Sequence, residues 1–436
     1  MSEKGLSEYM SAPALAVVPP GCPLLGKVAP PGSKSVTNRV LLLAALSKGR
    51  SHLTGALKSD DTARMAEALR AMGVTVEEPD ATSFLVTGTG TLSTPAAPLF
   101  LGNAGTATRF LTAATALAPG TVIVDGDEHM RKRPIAPLVV ALQRLGIEAE
   151  APTGCPPVTV KGTGSFAGGT VSIDAGLSSQ YVSALLMLAP RGTAPTEVVL
   201  EANAEGEIGA RGYIDLTLAS MRHFGAEVEQ TSPGRWQVKP SEYIASDSVI
   251  EPDASAATYL WAAAVLTAGN IDIGTAPKDF TQPDACAYEV IAAFPNMPSE
   301  VNGSQMQDAI PTLAVMAAFN KAPVRFVGIA NLRVKECDRI RALSEGLCRI
   351  KPGLAVEEGD DLIVASDPAL AGQTVDARIE TFNDHRIAMS FALAGLLTHG
   401  ITILNPACVA KTYPGYWDAL AALNVRLVPE AAPAGA

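Results

Sequence analysis

The chain has little of what would assign it at a glance. Its 6 cysteines, Cys22, Cys155, Cys286, Cys337, Cys348 and Cys408, form no CxxC pair, and none of its 5 histidines stands at metal-ligand spacing. Neither a disulfide framework nor a metal or cofactor is expected, and reduced thiols in a cytoplasmic compartment are the plain reading. Basic residues are in deficit, 33 Lys and Arg against 44 Asp and Glu, for a net charge of -11. Nucleic acid is excluded as a partner, because a phosphate backbone needs a broad basic face. The apolar runs are all shorter than about 18 residues or are broken by polar residues and proline, so no membrane span is expected. Near the start, Glu3, Lys4 and Glu8 precede an apolar stretch broken by Pro13, Pro19 and Pro20. This is neither a secretory signal nor an Arg-rich transit peptide, and residues 1 to about 12 read as a disordered lead.

What is present recurs. A small or polar cluster feeds an apolar helical run in PPGSKSVTNRVLLLAAL from Pro30, LGNAGTATRFLTAATAL from Leu101, DAGLSSQYVSALLMLA from Asp174, EPDASAATYLWAAAVL from Glu251, QDAIPTLAVMAAF from Gln307 and FNDHRIAMSFALAGLL from Phe382. The starts lie roughly 55 to 80 residues apart, longer than a usual solenoid period, so each repeat should be a compact supersecondary unit. Most repeats hold a second amphipathic helix ending in Gly before an alternating strand, as in AEALRAMGVTVEE, VVALQRLGIEAEA and LASMRHFGAEVEQ, with CDRIRALSEGLCRI as a looser relative. Each unit reads as strand, helix, strand, helix, strand, strand. At 436 residues and 47% hydrophobic content, the chain has room for two domains of three such units.

The stretch LGNAGTATRFL is the most informative. Gly102, Ala104 and Gly105 let backbone amides approach an anion, and Asn103, Thr106, Thr108 and Arg109 supply donors before the helix begins. The basic residues of this acidic chain are likewise placed locally: Lys34, Arg39, Arg109, Arg131, Arg133, Arg333, Lys335, Arg339, Arg386 and Lys411 lie in or beside the repeated motifs. Such a grouping implies a small, heavily anionic ligand.

PPGSKSVTNR, LGNAGTATR, KRPI, SSQY, RVKECDR, NDHRIAMS and AKTYPGYWD together resemble, in order and spacing, the 5-enolpyruvylshikimate-3-phosphate synthase family, from about Leu24 to Ala422. RFLT, VKECDRI and the aromatic run near Trp417 look most like the synthase domain of the fungal pentafunctional shikimate-pathway protein, although the chain has the length of a free-standing enzyme. The resemblance implies an α/β two-domain enolpyruvyl transferase fold, each domain an inverted α/β barrel of three βαβαββ units. The lower domain would take residues 1–32 and 252–436 and the upper domain residues 33–251, with the active site in the cleft between them and closure over the ligands.

The resemblance also implies the ligands, phosphoenolpyruvate and shikimate 3-phosphate, with glyphosate expected as an inhibitor and a monomer as the working form. Carried over residue by residue, Lys34, Arg133, Arg339, Arg386 and Lys411 should surround phosphoenolpyruvate, with the backbone amide of Gly105 at its phosphate, and Asn103 and Thr106 are further substrate-binding positions. Ser35, Arg39, Ser178, Ser179, Gln180, Tyr213, Asp308, Asn331 and Lys335 should hold shikimate 3-phosphate. Ser178 and Ser179 also suit an N-cap, and the two uses are compatible. Each helix end offers an anion roughly 0.3 to 1 kcal/mol, so Lys and Arg must supply most of the binding.

The implied reaction adds the 5-hydroxyl to C2 of phosphoenolpyruvate while C3 is protonated. Elimination from the tetrahedral intermediate then removes a C3 proton and expels phosphate. Glu336 is assigned to the proton at C3 and Asp308, assisted by Lys34, to the 5-hydroxyl, although these three roles permute without changing the motif match. Lys411 and His385 would stabilise the departing phosphate, and a helix-start His bonded to backbone is the alternative for His385. Cys337 and Cys408 lie near these groups and read as small buried hydrophobes.

Two positions depart from the family. Ala210 stands where a Ser usually donates to the shikimate phosphate, a loss of about 1.5 to 3 kcal/mol unless Arg211 substitutes. Phe110 stands where many members carry Pro, which should alter glyphosate sensitivity. Three other readings compete with this one. The related transferase acting on UDP-N-acetylglucosamine carries a reactive Cys before an Arg-Pro pair, and DGDEHMRKRP has none. A P-loop needs Gly directly before Lys, and Ser33 intervenes between Gly32 and Lys34. An inactive shikimate 3-phosphate binder is separated by turnover.

Overall fold

The computed structural model describes residues 4–176, 178–201 and 211–431. The chain divides into two compact units, one taking the chain up to Pro31 and again from Pro252, the other Gly32–Glu251. Each has its own apolar core. At the crossings the backbone is tied within each unit, Ser33 N–H donating to Glu251 O at 2.9 Å and Asp253 N–H to Pro31 O at 2.8 Å. Gly32 is dictated by this approach, since a Cβ there would lie 1.9 Å from the carbonyl oxygen of Gly55.

Five of the six sheets share one plan, a parallel strand pair joined to two more strands added antiparallel. Leu99–Phe100 runs parallel to Gly120–Asp125, which pairs antiparallel with Val158–Gly162, which in turn pairs with Glu148–Glu150. The helix Gly105–Ala114 makes the parallel crossover, and Ala136–Arg144 precedes the antiparallel strands. The sheet that begins at Gly169–Ile173 repeats the plan with helices Ser179–Leu188 and Gly212–His223, and the sheet that begins at Glu300–Asn302 repeats it with Ile310–Ala317 and Arg339–Ile350. In the repeat around Asp253 the sheet is reduced, among the described residues, to Leu25–Lys27 and Asn270–Asp272.

Two sheets are completed from far along the chain. Ser47–Thr54 takes its parallel neighbours from Tyr243–Ile244 and Ser248–Val249. Ala14–Val18 lies between His399–Leu404 and Arg426–Pro429, antiparallel to both.

The crossover helices are the apolar runs of the sequence, and their caps follow the small-polar pattern. Ser33 accepts from Val36 N–H, Ser178 from Gln180 N–H, Asp253 from Ala256 N–H and Asp384 from Arg386 N–H. Gly105–Ala114, Ile310–Ala317 and His385–Ala394 are buried at every position, as expected of helices with no polar face to turn outward. Gly73, Gly146 and Gly225 follow the second helices with positive φ of 86°, 78° and 84°. In the looser repeat that position is Gly353, φ 77°, while Gly346 lies inside the helix Arg339–Ile350.

One expectation is corrected. The lead is helical over Lys4–Ser11, where a disordered segment was expected, and Tyr9 and Met10 pack against the core of the unit that ends the chain. Burial of those two side chains supplies what local propensity does not.

Candidate active site

Within Gly32–Glu251, the residues expected to bind ligand gather at the starts of three crossover helices. Lys34 opens the first, with Nζ 3.3 Å from Asp61 Oδ2, both largely buried. Thr106 in the first turn of the second accepts from Gln180 Nε2 of the third at 3.2 Å. Arg133 NH1 donates to Asn103 Oδ1 at 3.0 Å, which holds the guanidinium beside the Gly105 turn. A Cβ on Gly105 would stand 2.8 Å from Arg109 NH1 and 2.9 Å from Arg133 NH1, so a larger residue there would force a guanidinium to shift. Arg109 itself turns inward, bonding Gly105 O and Pro134 O, both at 3.1 Å. Pro134 O also accepts from Tyr181 O–H at 2.7 Å, fixing the backbone next to Arg133.

Arg39 is buried on the first of these helices. Its Nε donates to Thr217 Oγ1 at 2.7 Å, NH1 to Ser35 O at 2.8 Å, and NH2 to Tyr213 O at 3.0 Å and Ser183 Oγ at 3.3 Å. Every one of these acceptors is a neutral oxygen. Burial pulls the Arg39 pKa down to about 10, with only the Tyr213 phenol opposing it. A cation so placed gains more from an incoming anion than one already paired with a carboxylate. Ser178 and Ser179 open the third helix, with Ser178 serving as its cap. Ala210 lies outside the described residues, and Arg211 beside it is exposed.

In the other unit the expected residues form one ion network. Asp308 accepts from Arg386 NH2 at 2.9 Å and Arg339 NH1 at 3.0 Å, with Lys335 Nζ 3.7 Å away. Glu336 accepts from Arg339 NH2 at 2.7 Å and has Lys411 Nζ at 3.5 Å. Asn331 is buried and donates to the Gln307 side chain. Asp384, which the sequence reading did not single out, is fully buried and accepts from Arg339 Nε at 2.7 Å, from the Arg386 backbone at 2.8 Å and from Cys337 Sγ at 3.5 Å. His385 is also fully buried, with Nδ1 3.7 Å from Asp384.

Burial alone would weaken the Arg339 charge, but Asp384, Glu336 and Asp308 outweigh it and hold its pKa above the ordinary arginine value. Arg386 is raised in the same way, with burial outweighed first by Asp308 and then by Tyr259, Asp253 and Asp284. The resident carboxylates therefore keep the guanidiniums charged and oriented before a ligand arrives. Arg339, Arg386, Lys335 and Lys411 thus lie at ion-pair distance from Asp308, Glu336 and Asp384, with Asp253 and Asp284 acting on Arg386 from farther off.

Phe110, expected near the helix start, is the sixth residue of Gly105–Ala114 and fully buried. Arg39 lies over its ring at 5.2 Å, so this position also shapes the setting of Arg39. Burial pushes the Cys408 thiol up to about 12 and raises Cys337 further, with Asp384 adding to both. No cluster of His, Cys, Asp and Glu among the described residues is arranged to hold a metal ion, and no helix among them is long and apolar enough to cross a membrane.

Against known proteins, the pattern of the family described as EPSP synthase (3-phosphoshikimate 1-carboxyvinyltransferase) matches residues 18–420. A 3-phosphoshikimate 1-carboxyvinyltransferase of Rhizobium etli is 69% identical over 411 residues, covering 94% of this chain and 97% of its own. One from Pseudomonas syringae pv. syringae is 67% identical, covering 94% and 98%, and one from Aliivibrio fischeri 39%, covering 92% and 97%. Among solved structures, EPSP synthase from Acinetobacter baumannii superposes with a TM-score of 0.76 at 24% identity, covering 96% of this chain and 100% of its own. The enolpyruvyl transferase NikO from Streptomyces tendae gives 0.71 at 18%, covering 97% and 100%.

Proposed function

Since the chain belongs to the EPSP synthase family and transfers the enolpyruvyl group of phosphoenolpyruvate to the 5-hydroxyl of shikimate 3-phosphate with release of phosphate, we propose that its two residue clusters act on one substrate pair and divide that chemistry between them. Arg39, with Ser35, Ser178, Ser179, Gln180 and Tyr213, takes shikimate 3-phosphate from one unit, and Asp308, Asn331 and Lys335 take it from the other. Arg133, Lys34, Asn103, Thr106 and the Gly105 amide meet phosphoenolpyruvate from one unit, and Arg339, Arg386 and Lys411 from the other.

The observation that carries this reading is Asp308 held by two arginines with Lys335 nearby, beside Glu336 held by Arg339 and Lys411. Two carboxylates with different cation partners suit two proton positions. Asp308 accepts the 5-hydroxyl proton, with Lys34 assisting, as the oxygen bonds to C2. Glu336 delivers a proton to C3 and removes one in the elimination that breaks the C2–O bond to phosphate. Lys411 neutralises the departing phosphate by charge. His385 is assigned to the same phosphate through a hydrogen bond, which its burial makes the most demanding assignment to test.

A cytoplasmic monomer inhibited by glyphosate belongs to the same proposal. It is supported by the family membership and by six free cysteines. The testing experiment is phosphate release from phosphoenolpyruvate with shikimate 3-phosphate or UDP-N-acetylglucosamine as acceptor, with Glu336→Gln alongside. Release only with shikimate 3-phosphate, abolished in the variant, supports the assignment; an active variant overturns the role given to Glu336.

A further inference from the structure

Arg333 lies between the candidate binding residues but is given no role by the chemistry above. Its NH1 donates to Asp338 Oδ2 at 2.8 Å and to Glu357 Oε2 at 2.9 Å, its Nε to Asp360 Oδ1 at 2.8 Å, and its NH2 to the Gly359 carbonyl at 2.5 Å. These contacts serve two purposes. Asp338 lies five residues on, so the ion pair closes the stretch from Arg333 to Asp338 into a loop with Lys335 and Glu336 inside it. Glu357 lies at the end of the first strand and Gly359 and Asp360 in the turn of the hairpin Ala355–Glu358 and Asp361–Val364, whose sequence EEGDD would repel itself without a cation against it.

Asp338 has a second function. Its Oδ1 accepts from Arg341 N–H at 3.1 Å, capping the helix that begins at Arg339. One guanidinium therefore fixes the start of the loop, the cap at its end and the rigid hairpin beside both. Arg339, the first residue after the cap, carries the bonds to Asp308, Glu336 and Asp384. Only a planar fork reaches four acceptors in different directions, and a lysine offers a single point charge. Arg325 supports the same hairpin through Asp361 and Glu358 and makes no bond to the loop.

We propose that Arg333 is a positioning residue for proton transfer at C3, stapling the loop that carries Lys335 and Glu336 to the acidic hairpin turn. This rests on the role given to Glu336. The staple sets the distance from the carboxylate to the reacting carbon, where a misplacement of about 1 Å costs on the order of a hundredfold in rate.

The test compares Arg333→Gln, Arg333→Lys, Arg325→Gln and Glu336→Gln in the full-length protein, reading kcat, both KM values, the solvent deuterium isotope effect on kcat and the thermal midpoint. Both Arg333 variants should lose between about tenfold and a hundredfold in kcat while the isotope effect rises, because a misplaced carboxylate makes proton transfer slower than the other steps. Arg325→Gln should keep kcat. Arg333→Lys keeps a charge against the acidic turn, so it guards against a variant that simply fails to fold. Wild-type kcat in both Arg333 variants, or a loss tracking the folded fraction with an unchanged isotope effect, overturns the staple while leaving Glu336 in place. A Glu336→Gln protein that turns over normally overturns the site reading itself, and the staple with it.

Discussion

Arg339 Nε donates to Asp384 Oδ2 at 2.7 Å with both side chains sealed from solvent. The two residues lie 45 positions apart, and their pairing joins the helix that begins at Arg339 to the one that begins at His385. Removing Asp384 leaves the buried Arg339 with Glu336 and Asp308 but takes away its fully sealed partner and the cap of the second helix, a combined cost of about 2 to 4 kcal/mol. Asp384→Ala should lower unfolding free energy by that amount and Asp384→Asn by less, because the amide oxygen still accepts from Arg386 N–H. A loss under about 1 kcal/mol in denaturant melts of Asp384→Ala would show that the pair is not what anchors Arg339.

Gly105→Ala should strike Arg109 and Arg133 and spare the shikimate side. The added methyl stands within 3 Å of both guanidinium nitrogens. Arg133 is the group able to yield, so KM for phosphoenolpyruvate should rise at least tenfold with KM for shikimate 3-phosphate little changed. Steady-state kinetics with each substrate varied in turn decides it, and an equal rise in both would contradict the division of labour.

Phe110→Leu keeps the helix and removes the ring under Arg39. The lost contact is worth roughly 0.5 to 2 kcal/mol, so KM for shikimate 3-phosphate should rise by about two- to thirtyfold. Phe110→Pro goes further, since a proline six residues into a helix deletes an internal hydrogen bond. Its glyphosate inhibition constant should differ from wild type. Equal constants would sever Phe110 from the Gly105 turn.

Thiol alkylation at pH 8 should leave activity intact. Burial holds the Cys408 thiol up at about 12 and Cys337 higher still, so both stay protonated and unreactive at that pH. Exposed Cys22 should take the label first. Rapid inactivation with the label mapped to Cys337 or Cys408 would refute this.

Ala210→Ser should restore a donor for the shikimate phosphate and lower that KM, while Arg211→Ala should raise it. The expected change is about tenfold in each direction, one hydrogen bond to a charged group. Arg211→Ala with an unaltered KM removes Arg211 as the substitute donor.

Much of the architecture was legible because the signals are local. A small or polar cluster ahead of an apolar run marked where the crossover helices begin, with Ser178 read as a cap, and Gly73, Gly146 and Gly225 marked the ends of the second helices; the caps Ser33, Asp253 and Asp384 are supplied by the structure. The cations were legible as a group for the same reason, since each sits inside a motif. What escaped depends on residues far apart in sequence. NDHR does not reveal that Asp384 reaches back to Arg339, nor does Arg133 reveal that its carbonyl neighbour is held by Tyr181. The helix Lys4–Ser11 escaped because its order comes from Tyr9 and Met10 meeting a core made by the other end of the chain.

That last circumstance extends to the strand Ala14–Val18, which is flanked on both sides by strands from beyond residue 398. During synthesis this segment precedes both neighbours and meets them only after Gly32–Glu251 has been made. The middle portion, Gly32–Glu251, has all its pairing partners within itself and is free to settle in the meantime. Until then Ala14–Val18 stays apolar and unpaired. Gly32–Glu251 is therefore complete before this sheet can close, and Ala14–Val18 presents open strand edges until it does.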